Sequence, residues 1–596
     1  MNLPSLKEIT DKAQNAFKRF PVTLVWAICG TIYAIVILND PTGRSFEEQA
    51  NVLLTLALGI SWLIGIQFFL EHLKEPKKWK WIKLLVLGLL FLFYWHLPDS
   101  NGLEDNPKYF IRFFLYLIGG HLFVFFAPFV TKWDKSAYWN YLKSAGTAIG
   151  RSLFFSGVLY LGLVLALAAI DALFEVSIRG ERYGQLFIFC LGLVNTWIYL
   201  SDFPKDILQH TSILFKKPLE VFVKYILIPL VLLYLLILYA YSFKILVQWE
   251  LPKGWVSYLV TALALLGFVV QVIIDPIQKT IKSWTINKFH PWFYRLLIPL
   301  VVLLFTAIFR RIGDYGVTEN RYFVLVIAFW ILGITVYLLL SKKKSLKILP
   351  ISLFILAIIS SFGSWGVFDI SKNSQIQQFK NVHNTVKENG KKATAEQYQQ
   401  LGSILDYLND RKSIFELNSV TSIKIKEIFK DTVADNSEET YQWFDTKKVL
   451  DSLKITIDPT ELDKISPYGN HYNYYPNNII NNYDIKEYQY LAIVSLNSYE
   501  NSKMEINKYQ ISYNSEKVSL LLSKNDVNLE IPLKEKIIAL TAYGTELYKA
   551  NQKEMTLEAE NDSISIKIVF ENLEFSVKQD TININYSSIM LFLKQK

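Results

Sequence analysis

Cysteine is nearly absent: Cys29 and Cys190 are the only two in 596 residues, and each sits inside an apolar run. That excludes a disulfide framework and a clustered thiolate metal site. The seven histidines are scattered, with no two at metal-ligand spacing, so no metal is expected. The chain also lacks a Walker-type phosphate loop, G-x-G-x-x-G, H-E-x-x-H and C-x-x-C, and "FGSWG" has the wrong order for a G-x-S-x-G elbow. No cofactor is expected, and an ATPase, a zinc hydrolase and an α/β-hydrolase are disfavoured. Charge is scarce as well, at 19% of residues against 52% hydrophobic, which is too apolar for an ordinary soluble chain of this length.

What is present is a series of long apolar runs. A bilayer core takes about 20 apolar residues per helix, and eleven stretches approach that length. They lie near 21–38, 50–70, 81–97, 109–130, 148–174, 183–201, 218–246, 255–274, 291–309, 321–340 and 346–367. The first has no small-residue cleavage pattern after it and many similar runs follow, so it reads as a retained span. The fold class expected is a polytopic α-helical membrane protein of about eleven spans with a C-terminal soluble α+β domain, mainly β in its last 150 residues.

Charge divides along the chain. Residues 1–369 hold 35 Lys+Arg against 22 Asp+Glu, while residues 370–596 hold 27 against 31. The basic excess belongs to the membrane half, which argues against nucleic acid as a partner. Counted over alternate connections with their flanks, Lys and Arg number 25 on one side and 10 on the other. By the enrichment of these residues in cytoplasmic loops, the N-terminus is expected in the cytoplasm of a bacterial inner membrane and the C-terminal domain outside it.

Four regions are expected. Residues 1–20 form an amphipathic interfacial helix, with Leu3, Leu6, Ile9, Ala13, Phe17 and Phe20 on one face and Lys7, Lys12, Lys18 and Arg19 elsewhere. Residues 21–369 form the transmembrane domain, 370–435 a helical linker region, and 436–596 a mainly β domain built from alternating runs such as "YQYLAIVSL" and "TININYSSIMLFL". Pro229 and Pro299 fall inside expected spans, where each favours a kink. Gln67, His121, Asn195 and Gln271 lie deep in spans and are expected to bond between helices.

"RRIGDYGVTENRYF" at 310–323 interrupts two apolar runs with Arg310, Arg311, Asp314, Glu319 and Arg321. It reads as an outer hairpin whose charges lie at the interface. The plainer reading has Arg310 and Arg311 reaching headgroups, and Glu319 or Asp314 pairing with Arg321. The functional reading is a site for a lipid headgroup, an anionic ligand or an envelope protein, since arginine forks suit phosphate and carboxylate. Asp171 and Glu175, one turn apart near the same boundary, could neutralise those arginines. "QWELPKGW" frames Glu250 and Lys253 between Trp249 and Trp255, as an aromatic interface belt or a ligand-facing turn.

The stretches "LYAYSFKILVQWELPKGWVSYLV" at 238–260, "RRIGDYGVTENRY" and "FGSWGVFDISKNSQ" at 362–375 resemble bacterial multi-pass membrane proteins of the domain of unknown function 4153 family. The resemblance covers the membrane half and implies fold and class without supplying catalytic residues. The bilayer is the one partner expected outright. The residues favour a non-enzymatic scaffold, sensor or envelope-interaction protein. One alternative is an enzyme on a lipid-linked substrate: the chain is similar in outline to polyprenyl-phosphate-using glycosyltransferases and has Asp40, Glu47 and Glu48 in its first outer loop, although that loop is short. A transporter is less favoured, since no internal repeat is evident.

Overall fold

The structure, a computed structural model, describes residues 6–40, 49–98, 103, 106–213, 215, 217–248, 255–276, 283–341, 345–428, 444–457, 470–476, 485–498, 503–524, 527–541, 548–550, 553–578 and 581–596. Each apolar run folds as a helix. Together with the first amphipathic segment they are α1 (Leu6–Arg19), α2 (Pro21–Ile37), α3 (Ala50–Glu71), α4 (Ile82–His96), α5 (Lys108–Phe126), α6 (Lys135–Phe174), α7 (Gly180–Ser201), α8 (Lys217–Gln248), α9 (Trp255–Ile274), α10 (Trp284–Tyr315), α11 (Glu319–Leu340) and α12 (Ile348–Ser360). Among the described residues, eight helices are long and apolar enough to cross a membrane. The other three expected spans are shorter helices: α2, α4 and α12 have 17, 15 and 13 residues.

Local chemistry sets the breaks. Phe20, restricted by the proline that follows it, leaves the helical region at φ −121°, and α1 turns into α2 with a bend of 103°. The apolar face of α1 packs on α7, with Phe17 stacked 6.2 Å from Trp197 and the Trp197 indole donating to the Ala13 carbonyl at 3.2 Å. A π-helical turn at Val223–Leu227 precedes Pro229, whereas Pro291 and Pro299 are carried inside a continuous α10. Large apolar side chains stay exposed along the outer helices, including Leu153, Phe154, Leu165 and Phe174 on α6. Contiguous apolar surface of this kind suits hydrocarbon rather than water.

The chain forms two compact units, residues 1–384 with 401–449, and residues 385–400 with 450–596. The first unit also contains most of α13 (Val367–Glu388) and the later turns of α14 (Ala395–Asp410). The second unit opens with β1 (Lys392–Ala393) parallel to β2 (Thr456–Ile457). Its larger sheet has the order β4-β12-β11-β3-β9, where β3 is Asn470–Pro476, β4 is Tyr490–Leu496, β9 is Tyr548–Ala550, β11 is Ile564–Lys578 and β12 is Thr581–Gln595. A further strand, β10 (Thr556–Glu560), pairs with β11. The smaller sheet is a meander of β5 (Lys503–Ile506), β6 (Tyr509–Asn514), β7 (Ser519–Lys524) and β8 (Val527–Pro532). Alternation explains the packing: Ala492, Val494 and Leu496 point inward and join Ile511, Leu520, Ile568 and Leu591 in one core shared by both sheets.

Polar ties at the helix ends of the first unit fall into two sets. In one, Arg19 pairs with Glu71 at 2.8 Å and donates to the carbonyls of Phe203 and Pro204. Thr131 reaches the His72 carbonyl, Lys347 the Phe129 carbonyl, and Lys135 pairs with Asp275. In the other set, Asn51 donates to the Pro98 carbonyl, Gln185 to Asn39, and Tyr322 to the Trp365 carbonyl. Lys108 and Arg112 lie over the Phe368 ring. Three of the four deep polar residues bond between helices as expected: Lys83 donates to Gln67, Asn195 to Ser156, and Gln271 to the His290 carbonyl. His121, whose ring is exposed, instead bonds the Leu117 carbonyl of its own helix.

Candidate functional site

The turn between α10 and α11 is made by Gly316, whose φ of +69° lies where glycine is favoured and whose N–H closes on the Ile312 carbonyl at 2.9 Å. Around that turn the polar side chains of α13 bind backbone. Ser374 accepts from the Val317 N–H at 2.8 Å, Gln375 donates to the carbonyls of Tyr315 and Val317 at 2.9 and 3.0 Å, and Gln378 donates to the Asp314 carbonyl at 2.9 Å. The turn is thereby gripped along its whole length by the helix that follows the last apolar run.

Its charges have other partners than the sequence suggested. Glu319, with a side chain only 7% exposed, takes a bidentate pair from Arg411, Nε at 2.6 Å and an NH2 group at 3.0 Å. Arg411 also stacks 3.6 Å from the Tyr407 ring centroid and donates to the Tyr407 carbonyl. Burial works against the charge of Arg411, but the Glu319 hydrogen bonds and charge outweigh it and hold the guanidinium pKa above its ordinary value. Burial, reinforced by the Glu319 carboxylate, raises the Tyr407 phenol well above its usual range.

Asp314 pairs with Arg310, not Arg321, at 3.5 Å, one helical turn away. Arg321 instead donates to the carbonyls of Tyr315 and Gly316 at 3.0 and 2.8 Å, where it caps the end of α10. The expected pairing of Arg321 with Glu319 or Asp314 is therefore replaced, because two orphan carbonyls lie nearer to its fork than either carboxylate does. Arg311 is exposed. Asp171 accepts from the Ile178 N–H at 3.4 Å, and Glu175 ends α6 in the left-handed region at φ 55°. Trp249, Glu250 and Lys253, like Glu47 and Glu48, lie outside the described residues, and Trp255 begins α9.

Of the side chains that organise this site on the α13–α14 side, Ser374 and Gln375 close the "FGSWGVFDISKNSQ" stretch without its marking their role, and Tyr407 and Arg411 carry no local motif. Among the described residues no group of three His, Cys, Asp or Glu side chains could hold a metal. The chemistry of the arrangement is mechanical: one buried ion pair and four backbone bonds fix a turn to the helices beyond it.

The family model described as domain of unknown function (DUF4153) matches residues 21–388, more than half of the chain. An uncharacterised protein of Pasteurella multocida is 26% identical over 354 residues, covering 57% of this chain and 55% of that protein. The chain thus spans about half the length of this curated relative. No solved structure matches it.

Proposed function

The chain belongs to the domain of unknown function 4153 family, and from that premise we propose a non-enzymatic bacterial inner-membrane protein that mounts an extracytoplasmic α+β region for contact with another envelope component. Eleven crossings are proposed. The two sets of helix-end ties support this, since residues on either side of every helix from α2 to α7, and of α10 to α12, belong to opposite sets. Positive charge supports the cytoplasmic assignment of the set around Arg19.

The observation that carries the interaction reading lies in the larger sheet. Leu491 and Ile493 on edge strand β4 are 49% and 60% exposed, although both side chains are apolar. They stand across from Phe592 and Met590 of β12, outside the core face. An apolar stripe on an edge strand is costly in water and attracts partners. Contact there also suits the clamped turn, which stiffens the helices beyond the membrane.

Single cysteines at Ser515 and Lys77, in a Cys29→Ala/Cys190→Ala background, test the orientation with an impermeant maleimide in spheroplasts. Labelling at 515 alone is expected; labelling at 77 alone overturns the orientation. A photo-crosslinking residue in place of Ile493 then tests the contact. An envelope adduct absent from the same residue at Glu516 is expected, and equal yields from both positions would sink the reading.

A further inference from the structure

Two cavities in the first unit share a wall. The larger, of about 670 Å³, lies between α5, α6, α9 and α12 and is lined by apolar side chains such as Phe125, Leu265, Phe268, Val272 and Leu353. Some of its lining residues, Ile149, Leu265 and Val269, are exposed on the outer helix surface, so it is continuous with the face that meets hydrocarbon. Lys143 and Thr147, one turn apart on α6, line this cavity and also a second one of about 420 Å³.

The second cavity is polar and basic. Lys12 of α1, Lys143, Arg151 and His210 border it, against the single carboxylate of Asp202, which Arg151 engages at 3.3 Å. Phe203 and Pro204 complete its wall, and their carbonyls bind Arg19 in the helix-end ties described above. The basic cavity therefore lies at the end of α7, whose Ser201 lines it together with the Phe203 and Pro204 that follow, and it meets the apolar cavity along α6 at Lys143 and Thr147. Lys143 leans over Trp139, 5.4 Å from the ring, at the junction.

We infer that the paired cavities bind one anionic phospholipid, with acyl chain in the apolar cavity and phosphate among Lys12, Lys143 and Arg151. A dry apolar cavity open to the bilayer takes acyl chain rather than water. Lysine and arginine at its mouth suit a phosphodiester, and favour one whose headgroup brings no ammonium of its own to offset them. The inference rests on the helices lying in a bilayer and not on which face is cytoplasmic, so inverted cysteine labelling would leave it standing.

Native mass spectrometry of the delipidated full chain, with phosphatidylglycerol or phosphatidylcholine of matched chains added back, tests it. Retention of one phosphatidylglycerol is expected, with a preference of roughly tenfold, the size of one charge-assisted contact. Lys12→Gln/Lys143→Gln should abolish the preference. Gly146 lines the apolar cavity and a Cβ there meets no atom within 4 Å, so Gly146→Phe should fill the space and lower phosphatidylglycerol retention without unfolding the helix. Equal retention of the two lipids, or unchanged preference in the lysine variant with unchanged retention in Gly146→Phe, overturns the inference. So does soluble glycerol phosphate binding as well as the lipid, which would make the basic cavity an ion site alone.

Discussion

Replacing Glu319 by Gln removes the charge that Arg411 was folded to meet, while keeping the shape of the side chain. Breaking a buried ion pair from one side costs about 3–5 kcal/mol, because the remaining charge is left without compensation. Arg411 retains the Tyr407 carbonyl and the Tyr407 ring, and its side chain is 20% exposed, so some solvation is recovered. The expected cost is therefore ~2–3 kcal/mol. Arg411→Met strands Glu319, which is only 7% exposed, and should fall in the full range of about 3–5 kcal/mol. The double variant Glu319→Gln/Arg411→Met strands neither charge and should cost ~1–3 kcal/mol less than the sum of the singles. Hydrogen exchange in detergent reads this locally: amides of residues 401–417 should exchange roughly 30- to 150-fold faster in Glu319→Gln, while strands β11 and β12 stay unchanged. Exchange within about threefold of the parent, or additive singles, would refute the idea that this pair holds the turn.

Gly316→Ala should destabilise the same turn by about 1–3 kcal/mol, since φ is +69° and a Cβ would stand 2.9 Å from Gln375 Nε2; faster exchange at 315–317 checks it. Gly267→Ala presses a Cβ into the Phe293 ring and should lower the melting temperature through a cost of about 1–3 kcal/mol, whereas Gly157→Ala, with open space around it, should leave it unchanged or raise it. Arg19→Met removes five hydrogen bonds joining α1, Glu71 and the chain after α7. A loss of about 3–5 kcal/mol is expected, read as a lower melting temperature that Glu71→Gln in the same chain partly restores.

That the chain turns between two apolar runs near 310–321 was legible from the charges and from Gly316, but the expected hairpin is shorter: Arg310, Arg311, Gly313 and Asp314 lie in the last turns of α10, and only 316–318 leave the helix. The turn's partners were not legible. Glu319 and Arg411 are 92 positions apart, and nothing in the local pattern of either residue encodes the other. Nearby charges invite pairing by proximity, yet Arg321 is drawn to orphan carbonyls at the end of α10, which every helix terminus supplies whatever its sequence. The strands behave similarly. Alternation in "YQYLAIVSL" marked β4 as a strand, but its place beside β12 depends on a partner almost 100 residues later. The basic cavity was visible only as separate lysines and arginines in alternate connections, until folding gathered α1, α6 and the chain after α7 around it.

The proposed eleven crossings ask most of α12, the shortest of the helices counted. Thirteen helical residues rise about 20 Å, less than the roughly 30 Å of a hydrocarbon core. The chain from Lys347 to Trp365, however, runs from the Phe129 carbonyl in one set of ties to Tyr322 in the other. The turns after α12 keep part of their backbone bonded, Ser361 N–H to Ile358 at 3.1 Å and Gly366 N–H to Gly363 at 2.9 Å, with Ser360 and Ser361 buried and residues 362–365 exposed. Irregular backbone is tolerated at membrane depth where protein covers it. The crossing proposed for α12 therefore depends on the turns that extend it as well as on its thirteen helical residues. The consequence is directional: if α12 did not cross, α13 would begin on the face that holds Lys347, and the grip of Ser374 and Gln375 on the turn at Gly316 could not form.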